Sequence, residues 1–117
     1  MIKEDFVRNA TVRRIIDGDT YEVLIDDGRQ HYSVEQLRLL RMDTPEVRGE
    51  TKEAGLEAKA FVQNILTIGK EIVIQTEKDD SFGRYLAEVY YQDENDQQKN
   101  LNNELFEKGF AKIYVKK

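Results

Sequence analysis

One amphipathic segment constrains this chain most. Ala58, Phe61, Val62, Ile65 and Leu66 fall at i, i+3, i+4, i+7 and i+8, so residues 52–66 are expected to form a helix with one apolar face. Gly69 stands just past its end, as a helix stop should. On both sides the pattern changes to short β-branched runs. Residues 10–16 (ATVRRII) and 20–25 (TYEVLI) read as strands, with Asp17-Gly18-Asp19 as a tight turn between them. Asp27-Gly28 marks the next hairpin turn. A third strand is expected over about 31–42, ending in QLRLLRM. Pro45 then disfavours a helical Thr44 and turns the chain into a loop. After the helix, 70–77 (KEIVIQTE) and 85–91 (YLAEVYY) read as strands four and five. The polar turn DENDQQ follows, then a short helix over about 101–108 that stops at Gly109 in a left-handed cap, and an extended tail, FAKIYV.

The order is β-β-β-α-β-β-α. Periodicity by itself specifies only a small α+β domain, mainly β. Three strands, a helix and two more strands is also the order of a five-stranded OB-fold barrel, an architecture that commonly binds oligonucleotides. A chain of 117 residues without repeats or linkers suits one domain, 1–117, expected as a monomer.

Composition removes several chemistries. There is no cysteine, which excludes disulfides, thiolate metal sites and a cysteine nucleophile. A single histidine, His31, excludes any site needing two; it lies near a hairpin and reads as a surface residue. Oxygen ligands remain plentiful, so a bound metal would be a hard cation such as calcium or magnesium. The net charge of −5 argues against broad sequence-independent nucleic-acid binding but leaves room for a small local phosphate site. No apolar run reaches the roughly 18–20 residues of a membrane span. The opening MIKEDFVRNATVRR has no apolar core and does not read as a signal peptide; a protein kept inside and one whose signal was removed both fit.

Three groups of residues carry possible chemistry. Asp19, in IDGDT, reads as a plain turn if taken alone, because Asp and Gly favour turns for backbone reasons. Asp43 and Glu46, in MDTPE, flank a stiffening proline. They too fit a turn, yet two carboxylates on a rigid loop can converge on a metal. A carboxylate beside the metal but not fully engaged by it can activate water. Arg38 and Arg84 are ordinary surface arginines if taken singly. Together they offer forked donors suited to a phosphate gaining charge in its transition state. If Arg38 and Asp43 are to face one site despite their odd spacing, the strand must bend or bulge between them.

Four ordered segments resemble the staphylococcal nuclease (thermonuclease) family: IDGDT (16–20), RLLRMDTPE (38–46), GLEAKAF (55–61) and FGRYLAEVY (82–90). A fifth, NNELFEKGFAKIY (102–114), resembles the family's short helix and following strand. The resemblance implies the OB barrel and a calcium-dependent nuclease that cuts DNA and RNA, with single strands preferred, and leaves 3′-phosphate ends. It implies that Asp19 and Asp43 bind calcium together with the backbone carbonyl of Thr44. Glu46 matches the general base or orienter of water. Arg38 and Arg84 match the arginines that grip the phosphate, and Tyr114 matches a tyrosine beside the base. Phe82 stands where a phosphate-contacting tyrosine is usual and Ser81 where a lysine is. The loop after Glu46 is shorter and less basic, and the family's third helix is expected to be absent.

Two other readings compete. One is a non-catalytic binding module for nucleic acid or protein, as in relatives that have lost catalytic residues. The other is a structural calcium-binding domain, which gives the two arginines no task. Phe61, Ile65 and Leu105 read as core. The run Asp93–Asp96 reads as a solvated turn, lacking the alternation of a calcium loop. Tyr85, Tyr90 and Tyr91 could stack on bases, although about half should pack inward.

Overall fold

The computed structural model describes residues 6–40, 42–45, 47–77 and 85–113. The expected residues Glu46, Ser81, Phe82, Arg84 and Tyr114 lie outside this set. Strands β1 (Phe6–Asp17), β2 (Thr20–Gly28) and β3 (His31–Leu39) form an antiparallel meander. Helix α1 (Lys52–Ile65) follows a short 3-10 turn, Gly49–Thr51. Strands β5 (Glu71–Glu77) and β6 (Tyr85–Gln92) come next, after the two-residue β4 (Met42–Asp43) that precedes the helix. The chain continues through β7 (Gln98–Asn100), α2 (Leu101–Glu107) and β8 (Lys112–Ile113).

The main sheet runs β3-β2-β1-β5-β6, and β6 returns to pair in parallel with β3, closing a five-stranded barrel. β1 makes this possible. Its first half pairs with β5 and its second half with β2, and bulges after Val12 and after Ile15 bend it between the two. The interior is filled by the alternate residues of each strand, among them Val12, Tyr21, Val23, Leu37, Ile74 and Val89. Among the described residues no helix is long and apolar enough to cross a membrane.

Helix α1 closes one end of the barrel. Ala58, Val62 and the following Leu66 are buried, while Phe61 and Ile65 are half-buried, as the periodicity requires. The Phe61 and Phe110 rings pack 5.0 Å apart. Gly69 adopts a φ of +89°, and its N–H donates to Val12 O at 2.8 Å, returning the chain to β1. Helix α2 is capped by the Asn100 side chain, which accepts from the Asn103 N–H at 3.0 Å. Its end is turned by Gly109 at φ +80°.

Asn102 has a structural task that periodicity does not reveal. Its buried side chain accepts from Val89 N–H at 3.0 Å and donates to Ala87 O at 3.2 Å. β6 pairs with β3 up to Ala87 and with β7 from Tyr90 onward. Asn102 therefore satisfies backbone groups in the gap between those two partners.

Several boundaries differ from expectation, those of the third strand and the second hairpin among them. The third strand ends at Leu39 rather than near residue 42, because Leu40 N–H turns to Ala87 O at 2.9 Å. The second hairpin turns at Arg29-Gln30 rather than Asp27-Gly28; both residues have positive φ, as a two-residue primed turn demands. The short strands β4, β7 and β8 carry too few residues to show a period.

Candidate metal and phosphate site

The turn between β1 and β2 is fixed from three sides. Beneath it, the fully buried Tyr21 donates its hydroxyl to Gly18 O at 2.5 Å. Burial, and then the negative charge of Asp19, push this phenol well above its ordinary pKa, so it remains a donor. From the side, Leu39 N–H donates to Asp19 O at 2.9 Å and ties the turn to the end of β3. Above it lie α1 and the Thr44 loop: a Cβ on Gly18 would stand 2.9 Å from both Ala58 Cβ and Thr44 Oγ1. Gly18 has no positive φ. Glycine is needed here for close approach, not for the turn conformation alone.

Asp19 is thereby held almost wholly buried, 6% exposed. Its Oδ1 accepts from Thr20 Oγ1 at 3.0 Å, and its Oδ2 accepts from the Thr44 backbone N–H at 3.0 Å. The second bond reaches across 25 residues and joins IDGDT to MDTPE. Arg38 stands opposite Thr20 in the β2–β3 ladder, which sets its side chain beside the turn. The strand break after Leu39 then swings the chain so that Met42 is buried and Asp43 returns toward Arg38. Arg38 Nη2 donates to Asp43 Oδ1 and lies 4.0 Å from Asp19 Oδ2 and 3.5 Å from Met42 O. The odd spacing of Arg38 and Asp43 is reconciled by this break.

Asp19, Arg38, Asp43 and Thr44 thus lie together. Thr44 Oγ1, which faces Gly18, and Asp17 Oδ1, on the residue before Gly18, are buried side-chain atoms with no hydrogen-bond partner among the described residues. Two carboxylates converging on one cationic nitrogen, with unsatisfied oxygens beside them, fit a hard cation. Among the described residues no cluster of three acidic or imidazole side chains forms, and the third carboxylate of the sequence reading, Glu46, lies outside them, as do Arg84 and Tyr114. Tyr91 packs inward and donates its hydroxyl to Glu104, and Tyr90 donates to Glu88.

The sequence profile of the family described as "Staphylococcal nuclease homologue" matches residues 36–117. The chain belongs to this family. The matched segment includes Arg38, Asp43, Glu46 and Arg84, whereas Asp19 precedes it and is joined to it by the Thr44 and Leu39 hydrogen bonds. An uncharacterized protein of Methanocaldococcus jannaschii is 29% identical over 89% of this chain. The match spans about 58% of that relative's length.

Sequence reasoning missed Tyr21, which alternation places inside the barrel but does not connect to the turn. It also gave Gly18 a turn-forming role where the decisive constraint is contact with Ala58 and Thr44.

Proposed function

We propose that this domain is a calcium-dependent nuclease acting on DNA and RNA, with single strands preferred. The observation that carries the reading is the convergence of Asp19 and Asp43 on Arg38 from two segments 24 residues apart. Asp19, Asp43 and the Thr44 carbonyl would hold the cation. Calcium bound there supplies positive charge to a phosphate oxygen.

The chain's own residues account for the remaining chemistry. Glu46 orients a water and takes its proton as the water oxygen bonds to phosphorus. The bond from phosphorus to the 5′ oxygen breaks, that oxygen leaves as a hydroxyl with a proton from solvent water, and Glu46 returns its proton to solvent. The other fragment ends in a 3′-phosphate. Arg38 and Arg84 donate to the equatorial oxygens as they gain charge, a contribution that is larger in the transition state than in the ground state. Tyr114 lies against a base. The partly exposed Asp43 and largely buried Asp19 give the site one open and one closed side.

A second reading draws on the same contacts. A guanidinium placed between the two carboxylates offsets one of their two negative charges without a cation, and a docking module would use it so. Cleavage of single-stranded DNA and of RNA, measured with calcium, magnesium and chelator, separates the two. The nuclease reading expects cutting with calcium, none with chelator, and 3′-phosphate ends. Binding without cutting under every condition selects the docking module.

A further inference from the structure

The two bulges of β1 have a second effect. Arg13 and Arg14 are both exposed, although neighbours on an unbroken strand point to opposite faces. They share one carboxylate. Arg13 Nε donates to Glu22 Oε1 at 3.1 Å, and Arg14 Nη2 lies 3.5 Å from Oε2, with its side chain still 65% exposed. Glu22 thus offsets one of the two guanidinium charges.

Across from Arg14 stand Lys59 and Gln63, one helical turn apart on α1. Between β1 and α1 lies an open cleft of about 560 Å³, lined by Arg14, Ile16, Lys59, Gln63, Leu66 and Ile68 among others. That volume falls within the roughly 300–1,000 Å³ of small-molecule sites. Among the described residues no carboxylate lines the cleft, in a chain whose net charge is −5. Ile68 is 81% exposed, which leaves an apolar wall beside two cations. The cleft is also close to the carboxylate site. Ile16 is two residues from Gly18, and Lys59 follows Ala58, which packs against Gly18.

We propose that this cleft binds a phosphate-bearing nucleotide of the same single strand that occupies the Asp19–Arg38 site. Arg14 and Lys59 hold its phosphate, Ile16 and Ile68 carry the apolar face of the nucleoside, and Gln63 offers its amide to the base edge. The cleft lengthens the bound segment beyond the cut site. It supplies a local cationic contact in a chain whose net charge is −5. This rests on the nuclease reading for its substrate class but not for its measurement.

The test is equilibrium binding of fluorescently labelled octathymidylate in chelator, followed by anisotropy across a salt titration. The Arg14→Gln/Lys59→Gln variant is compared with the wild type and with Arg29→Gln/Lys108→Gln, which removes the same charge elsewhere. The cleft variant is expected to bind at least fivefold more weakly. Its slope of log affinity against log salt should fall by about 0.7, from one phosphate contact on a single strand. The control pair should stay within twofold of wild type. Absence of wild-type binding, an unchanged affinity and slope in the cleft variant, or an equal loss in the control pair overturns the proposal. Cleavage is scored separately. Binding that depends on Arg14 and Lys59 without any cutting rejects the nuclease reading alone, whereas calcium-dependent cutting with an unaltered cleft variant rejects the cleft alone.

Discussion

Replacing Gly18 by alanine tests the packing that holds Asp19 in place. The added methyl would meet Ala58 Cβ at 2.9 Å, Thr44 Oγ1 at 2.9 Å and Thr44 Cβ at 3.2 Å. Ordinary carbon contacts begin near 3.5 Å, so the helix, the loop or the turn must move by about half an ångström or more. Rotating the Thr44 hydroxyl does not relieve the clash, because Thr44 Cβ and the Ala58 methyl remain. Overpacking of this kind costs about 1–3 kcal/mol. For a chain of this length that lowers Tm by roughly 4–12 °C. The movement also separates the turn from Thr44 and so weakens the 3.0 Å bond from its N–H to Asp19. Urea unfolding measures the first effect, and the rise of Tm with added calcium measures the second. Both should fall in Gly18→Ala. Adding Ala58→Gly removes one of the clashing groups and should recover part of the loss, despite the roughly 1 kcal/mol that glycine costs within a helix. A destabilisation under about 0.5 kcal/mol with an unchanged calcium response would refute the reasoning.

Three further outcomes are expected. Arg38→Ala leaves Asp19 and Asp43 without the guanidinium between them, so the calcium-free protein should lose about 1–3 kcal/mol while calcium raises its Tm more than it raises that of wild type; equal calcium shifts in thermal unfolding would contradict this. Asn102→Ala strips Val89 N–H of its buried partner, whereas Ala87 O keeps the Leu40 N–H, so denaturant unfolding should show a loss of about 1–3 kcal/mol. Tyr21 has a raised folded pKa, so its contribution is fully present below the ordinary value of 10.0 and declines as pH rises above it, by up to about 1.4 kcal/mol per pH unit; Tyr21→Phe should flatten that part of the stability curve.

The barrel was legible wherever a period had room to repeat. Ala58, Val62 and Leu66 face the core as the helical spacing requires, and the alternation in β2 sends Tyr21, Val23 and Ile25 inward. The break after Leu39 left no such mark. QLRLLRM continues as an apolar strand in sequence, and only the tertiary bond from Leu40 to β6 stops it. The hairpin moved for a related reason: Asp-Gly is the stronger turn signal, but the register of β2 with β3 places Arg29 and Gln30 at the two positive-φ positions. In the candidate site, residue types and motif order marked Asp19, Arg38 and Asp43. The bond from Thr44 to Asp19 and the close approach at Gly18 depend on chain segments distant in sequence, which no local pattern encodes.

We propose that Asp19, Asp43 and Arg38, together with Arg84, cut phosphodiester bonds while Glu46 activates water. Single-turnover cleavage of a single-stranded DNA, with saturating calcium and Glu46→Gln beside wild type, tests it most directly. Removal of a general base costs typically 10²–10⁴-fold, so the variant should lose at least a hundredfold in rate while its Tm and its calcium-induced stabilisation match wild type. Cleavage by Glu46→Gln at the wild-type rate, or no calcium-dependent cleavage by the wild type, would contradict the account.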